Sequence, residues 1–440
     1  MEKELTDQGP PIVVIGAGVV GVMTAYSLAK RGHRVTVIDQ LSVPAELCSH
    51  ANAGVLAVGH AAAWARPEAI GSIFRALMGR EPSVRITRLW DPALWRWGID
   101  FLRHCTPSAH RANTAKLMRL SRYSCDQLAS FETDMGLPKE TRQEGGLYLF
   151  QKEAEFQAHV SSLAHASSLA HASSLEGQDH GAQQVLDRDG LIAHEPGLAS
   201  MAEMFVGGVL SPSDAVGDCR LFTVRTHDYL AQTGRVTFMF NTTVTGFQRR
   251  KARIDAVKTD HGEVPCAQVV LATGVETPDL TRPLGFNPLI YPVKGYSSTW
   301  RILDPAGVPR LPFIDETELV SVATYGERLR VTSIAEFAGR DRTLPEDRVA
   351  HLSTYVRRAF GSAIDTQTPE FWTGLRPSTP AGPPYLGRVR RAENLWINAG
   401  HGQLGWTMSL GSGEILAQLI SGTAPALTEI SAQARWLEPA

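Results

Sequence analysis

Gly16-Ala17-Gly18-Val19-Val20-Gly21 follows a β-branched run, Ile12 to Ile15, and opens an apolar helical pattern. Glycine at these three places permits a tight turn at Gly16, close approach of a pyrophosphate at Gly18 and tight helix–strand packing at Gly21. The helix behind them would present amide donors and the positive end of its dipole. A second apolar run, Val35 to Ile38, ends in Asp39, 21 residues after Gly18. A carboxylate there can accept hydrogen bonds from adenosine ribose hydroxyls. The spacing predicts a dinucleotide site, with Ile15, Val19, Val20 and Gln40 flanking it.

Two distant stretches bear on which dinucleotide it is. QVVLATG, residues 268–274, is a buried-type strand ending in Ala272, Thr273 and Gly274, small residues that let backbone approach a cofactor. NAGHGQLGWTMSLGSGEILAQLI, residues 398–420, has five glycines in its first sixteen positions and then turns helical. If the strand before it joins the same sheet, Gly400, Gly402 and Gly405 can face the flavin end of FAD. The expected cofactor is therefore FAD, grasped from both ends of the chain, with Val244, Trp406 and Thr407 among its contacts.

The elements that must position these residues alternate in type. Residues 11–40 read as strand, helix, strand, and 64–135 as helical and tryptophan-rich. VTFMFNTTVTGFQ and RIDAVKTDHGEVPCAQVVLATG read as strands, with a hairpin turn at Asp-His-Gly. Segments 289–300 and 319–337 alternate like half-exposed antiparallel strands, 345–361 is helical, and 371–388 reads as a proline- and glycine-rich loop. The expected fold class is α/β: a Rossmann-like FAD-binding domain interrupted by a mostly antiparallel β-sheet domain with helices. The FAD-binding domain is expected over 10–85, 186–285 and 365–440, and the substrate domain over 86–185 and 286–364. SSLAHA, given twice and begun a third time over 161–176, reads as a recent duplication in an exposed loop or helix extension.

Composition narrows the function. The chain has 440 residues, enough for two cores, and 43% hydrophobic with 20% charged residues is globular. A formal net charge of −2 gives no reason to expect nucleic acid as a partner. Five scattered cysteines, with no CxxC pair, argue against a zinc site or disulfide framework. With no apolar leader and no apolar run of transmembrane length, the expected location is cytoplasmic, with peripheral attachment to the inner membrane left open.

IGAGVVG, HANAG (50–54), GDCRLFT (217–223), YPVKGYS (291–297), WTGLRPSTP (372–380) and GHGQLGWTMSLGSG (400–413) together resemble the D-amino-acid dehydrogenase small-subunit family. These are flavoproteins of the D-amino-acid oxidase and glycine oxidase superfamily, and the resemblance runs from about residue 11 to 427. It implies oxidative deamination: FAD takes a hydride from the substrate Cα, and the imino acid hydrolyses to a 2-oxo acid and ammonia. Arg376 matches the arginine that grips the substrate carboxylate, and a guanidinium fork suits that task. Asn52, Ala53 and Gly54 match a segment that passes close to the flavin. His401 could lie beside the flavin or be a hydrogen-bonded structural residue. Tyr291, Tyr296 and Tyr325 could roof the substrate or belong to the core. Lys294 stands in a family-typical position without an assigned partner.

The expected partners are a small D-amino acid and a quinone or other respiratory acceptor. Oxidation of a cyclic imino acid such as a D-hydroxyproline, or electron transfer to oxygen, is the alternative. In LWDPALWRWGIDFL, residues 89–102, Trp90, Leu94, Trp97 and Phe101 share one helix face beside arginines. That face suits either a membrane interface or the core.

Overall fold

The computed structural model describes residues 9–81, 83–136, 140–172 and 183–428. The strands Ile12–Ile15, Val35–Ile38 and Gln268–Leu271 are short, β-branched and almost wholly buried. They form the centre of a six-stranded sheet in the order Val236–Met239, Val35–Ile38, Ile12–Ile15, Gln268–Leu271, Leu395–Ala399, Tyr385–Arg388. All neighbours pair in parallel except the last two strands, which are antiparallel. The C-terminal strand thus lies beside the strand ending in Ala272, as the FAD expectation requires.

The helices Val19–Lys30 and Gly405–Ile420 pack closely together against this sheet. A Cβ on Gly413 would stand 3.0 Å from the Met23 backbone, and one on Gly411 would stand 2.9 Å from Ser124. The glycine-rich C-terminal segment therefore has two duties. Its later glycines permit close helix packing, whereas Gly400, Gly402 and Gly405 border the cavity described below.

The second large sheet begins Glu370–Ser378, Tyr291–Arg301, Arg328–Phe337, Val320–Tyr325, Phe313–Asp315. It continues through Gly146–Phe150, Gly207–Ser211 and Gln184–Asp187, and Val84–Ile86 pairs with the end of Arg328–Phe337. One face is a core under the helix Glu346–Phe360, holding Leu147, Phe313, Val322, Val331 and Trp300. The opposite face borders the cavity.

Several expectations need correction. Residues 371–388 are not loop: Glu370–Ser378 and Tyr385–Arg388 are strands. Pro377 is tolerated because its strand is the edge of its sheet, opposite Pro292. The chain also divides differently from the expected segments. Gln184–Asp187, Gly207–Ser211 and Glu370–Ser378 all lie in the second sheet. A strand's partners, not its place along the chain, decide its sheet. The helix Glu153–Ala172 runs into the SSLAHA repeat, and the repeat's remainder lies outside the described residues.

Candidate active site

A cavity of about 870 Å³ lies between the two large sheets. On one wall stands the N-terminal glycine turn. Gly16 has φ +105°, and a Cβ there would sit 2.6 Å from the Ala272 carbonyl oxygen. A Cβ on Gly21 would fall 1.8 Å from the Gly16 carbonyl oxygen, so its role is helix–strand packing. No side chain caps the helix Val19–Lys30 from its N-cap Gly18. The Val19 amide donates to Ser49 Oγ (3.0 Å), a partner that sequence spacing alone does not reveal. The Asp39 carboxylate accepts from the Ala17 (2.7 Å) and Leu41 (2.9 Å) amides. Burial raises its pKa, and these two bonds partly offset the rise.

A glycine cradle, a helix N-terminus and a carboxylate at the next strand end, all bordering one cavity, fit an FAD dinucleotide. Of the expected cofactor residues, Ile15, Gly16, Gly18, Val19, Val20, Asp39 and Gln40 line the cavity at this end. Asn52, Ala53, Val244, Ala272, Thr273, Gly274, Gly400, Gly402, Gly405 and Trp406 line it elsewhere. Gly21, Gly54 and Thr407 do not border it. Gly21 lies against the Gly16 backbone, Gly54 against Tyr325, and Thr407 is buried in the C-terminal helix.

On the opposite wall, Arg376 projects from the edge strand across the second sheet. A Cβ on Gly295 would stand 2.6 Å from its guanidinium carbon, so the missing side chain makes room for it. Its Nη1 donates to the Ile334 carbonyl oxygen (3.0 Å). Ile334 has φ +66°, an outlying conformation for a β-branched residue. It stands where pairing with Tyr291–Arg301 slips register, between Lys294↔Glu336 and Tyr296↔Ser333. This bulge turns the carbonyl toward Arg376. Protein surrounds the guanidinium, which lowers its pKa, yet part of the residue stays open to the cavity. Among the described residues it pairs with no carboxylate. Cys48, whose thiol burial pushes up to about 11, lies nearby.

His401 borders the cavity and shares a hydrogen bond with Ser412 Oγ (3.1 Å). Burial pulls its pKa down to about 3, so the imidazole is neutral at ordinary pH. Of the three tyrosines, Tyr296 borders the cavity with part of the residue, whereas Tyr291 and Tyr325 do not border it. Since Gly295 faces Arg376, strand alternation turns Tyr296 to the far side of the sheet. There its hydroxyl donates to Glu336 (2.8 Å) and its ring joins the core. Tyr325 donates to the Ala53 carbonyl oxygen (3.0 Å) and braces the Asn52–Gly54 segment. Tyr291 donates to Asp91 (3.0 Å), the N-cap of the helix Pro92–His104. Lys294, fully buried, finds its partner in Asp341 (2.8 Å). Burial alone would raise Asp341, but Lys294 and Thr343 hold it at about 2.

Sequence reasoning missed other cavity residues. Trp372 stacks on His50 (5.8 Å between centroids), and His60 stands 3.0 Å from Glu316. Trp372 lies inside a quoted motif. His60 and Glu316 carry no signal until the sheet brings them together.

A dinucleotide-shaped cradle facing an unpaired arginine across one cavity is the layout of a cofactor-dependent oxidoreductase acting on a carboxylate-bearing substrate. The FAD dependent oxidoreductase (DAO) family matches residues 11–419, and the chain belongs to that family. The D-amino acid dehydrogenase of Xanthobacter autotrophicus is 41% identical over 416 residues, covering 94% of this chain and 96% of that protein. D-amino acid dehydrogenase 2 of Mesorhizobium japonicum is 37% identical over 415 residues, covering 94% of this chain and 97% of that protein. Among solved structures, glycine oxidase from Geobacillus kaustophilus superposes with a TM-score of 0.73 at 19% identity, covering 96% of this chain and 97% of that one. The protein is an FAD-dependent oxidoreductase.

Proposed function

We propose that this enzyme oxidatively deaminates D-amino acids to 2-oxo acids and ammonia. The carrying observation is Arg376: a half-buried, cavity-facing residue whose guanidinium pairs with no carboxylate among the described residues. Such a cation is costly to enclose unless a ligand carboxylate completes it. The Ile334 carbonyl and the space over Gly295 fix its plane, so a two-pronged hold on the carboxylate also fixes which face of Cα meets the cofactor. Gly16, Gly18 and the helix after them would hold the FAD pyrophosphate, Asp39 the ribose, and the Gly400–Gly405 turn the flavin end. Bound FAD supplies the acceptor for the hydride leaving Cα. Neutral His401 adds no charge beside the substrate. The relatives' names support a D-amino acid as substrate. Anaerobic addition of a D-amino-acid panel tests this: D-alanine should bleach the flavin absorbance. A flavin reduced only by L-amino acids would overturn the reading.

A membrane quinone is the proposed acceptor. Leu94, Trp97 and Phe101 are buried against Tyr291, so of the two readings open for this stripe it takes the core one, Trp90 excepted. A different apolar set stays exposed: Trp95, Ile99 and Leu102 on the same helix, with Leu89 and Trp90 before it. Ile70, Phe74, Leu77 and Met78, on and just after the helix Ala69–Leu77, are exposed too. No helix among the described residues is long and apolar enough to cross a membrane, so contact here would be interfacial. Flotation with anionic liposomes and quinone reduction without stoichiometric peroxide support this acceptor. Peroxide release matching D-alanine consumption would refute it.

A further inference from the structure

We infer that the substrate cavity has a second recognition point: Glu316 receives a cationic group at the end of the substrate side chain. This rests on Arg376 being the carboxylate clamp. Arg376 is tied to the Ile334 carbonyl, on the strand Arg328–Phe337. From there the sheet passes to Val320–Tyr325 and then Phe313–Asp315. The registers pair Thr332 with Ser321, and Ser321 with Ile314. Glu316 and Leu319 open and close the turn that joins Phe313–Asp315 to Val320–Tyr325, and Ser333, next to Ile334, donates to the Leu319 carbonyl oxygen (3.2 Å). Two strand spacings of about 4.8 Å put Glu316 on the order of 10 Å from Ile334. Ile334, Thr332, Ser321, Leu319 and Ile314, which floor the space between, all border the cavity that Arg376 and Glu316 share.

The far end is chemically unfinished. His60 Nε2 stands 3.0 Å from Glu316 Oε1, and beyond this contact the carboxylate takes no donor among the described residues. An ionised carboxylate offers about four acceptor sites. Burial would raise the Glu316 pKa, but His60 beside it keeps it below the usual value, so the group is charged. The nearby Asp214 differs: it accepts from Tyr148, Ser211 (3.0 Å) and the Gly59 amide (2.8 Å), so its demands are met within the protein. Arg66 also borders the cavity but is an exposed residue. An ammonium or guanidinium group about five bonds beyond Cα would reach Glu316 and supply the missing donors. Short side chains would leave Glu316 to His60.

The test compares kcat/KM for D-arginine, D-alanine and D-glutamate by dye reduction in the FAD-loaded enzyme. Glu316→Gln should lower the D-arginine to D-alanine ratio about tenfold or more, the scale of a charge-assisted contact. Glu316→Asp, which keeps the charge but withdraws it by one bond, should also lower that ratio, though less than Glu316→Gln. If Glu316→Gln fails to fold, the Glu316→Asp shift decides. Unchanged ratios in both variants, or a wild-type preference for D-glutamate, overturn the subsite while leaving D-alanine turnover and the clamp intact. A wild-type flavin that no D-amino acid reduces overturns the clamp as well.

Discussion

The six-stranded and nine-stranded sheets use their strands differently, and that decides how each can be read. In the first, Ile12–Ile15, Val35–Ile38 and Gln268–Leu271 are buried on both faces, and chemistry sits in the turns at strand ends. Glycine spacing along the chain then reports function directly. In the second, each strand has a core face and a cavity face, so neighbouring residues have opposite duties. Gly295 makes room for Arg376 while Tyr296, one residue on, belongs to the core. Function there depends on register, and register needs partners.

The sharpest test of the first sheet is Gly21→Ala, which would place a Cβ 1.8 Å from the Gly16 backbone oxygen. Neither backbone segment can yield without breaking the turn. The cost should lie at or above the upper end of the roughly 1–3 kcal/mol usual for overpacking. The expected product is colourless and poorly soluble, checked by flavin absorbance and thermal denaturation. Gly18→Ala is the contrast: its nearest contact would be Ser49 Oγ at 3.4 Å. That variant should fold near the wild-type melting temperature but retain FAD weakly. Equal losses in both variants would mean that the turn is structural only.

For the second sheet, Arg376→Leu should keep FAD and the fold but lose substrate. Leaving a substrate carboxylate buried without its partner costs about 2–5 kcal/mol, or roughly thirty- to several-thousand-fold in kcat/KM. Gly295→Ala should do part of the same damage from a neighbouring strand, about ten- to a hundredfold, because the new methyl displaces the guanidinium. Near-normal kinetics in Gly295→Ala would show that the clamp tolerates movement.

Legibility followed the same divide. The glycine turn, Asp39 and the Ala272–Gly274 strand end were readable because one short stretch contains cause and effect. Arg376 was readable only through its motif, since nothing local says which face it takes. The tyrosines stayed ambiguous because an aromatic on a strand looks alike on either face. Ile334 and Glu316 were invisible: a left-handed isoleucine and an under-coordinated carboxylate exist only once strands are paired. The strand Glu370–Ser378 was missed because proline and glycine signal loops, and an edge strand is the place where that signal fails.

His401 lies between the two regions and should report its burial through pH. Its folded pKa, about 3, lies below the ordinary value near 6.5. Above pH 6.5 the ring is neutral in both folded and unfolded chains and contributes no pH dependence. As pH falls from 6.5 toward 3, only the unfolded chain binds the proton, so folding weakens by about 1.4 kcal/mol per pH unit. Denaturant titrations at pH 7 and 5 should show a smaller acid loss in His401→Gln than in wild type. Equal losses would mean that water reaches the imidazole.

The smallest expected effect on stability separates core from surface within one helix. Trp97 is buried, donates to the Ser378 carbonyl oxygen (2.8 Å) and stacks on Phe101 (5.0 Å between centroids). Truncating it to alanine should cost about 3–5 kcal/mol and disturb the strand carrying Arg376. Trp95 and Ile99, on the same helix, are 53% and 52% exposed. Replacing both with serine removes little packing, so stability should change by less than about 0.5 kcal/mol per site. The double variant should keep D-alanine oxidation with a soluble dye yet float poorly with anionic liposomes and reduce quinone slowly. Its value lies in that split, because a folding defect would lower dye and quinone activity together. If the Trp95/Ile99 variant floats like wild type, this face does not dock on lipid, and the acceptor must reach the cavity by another route.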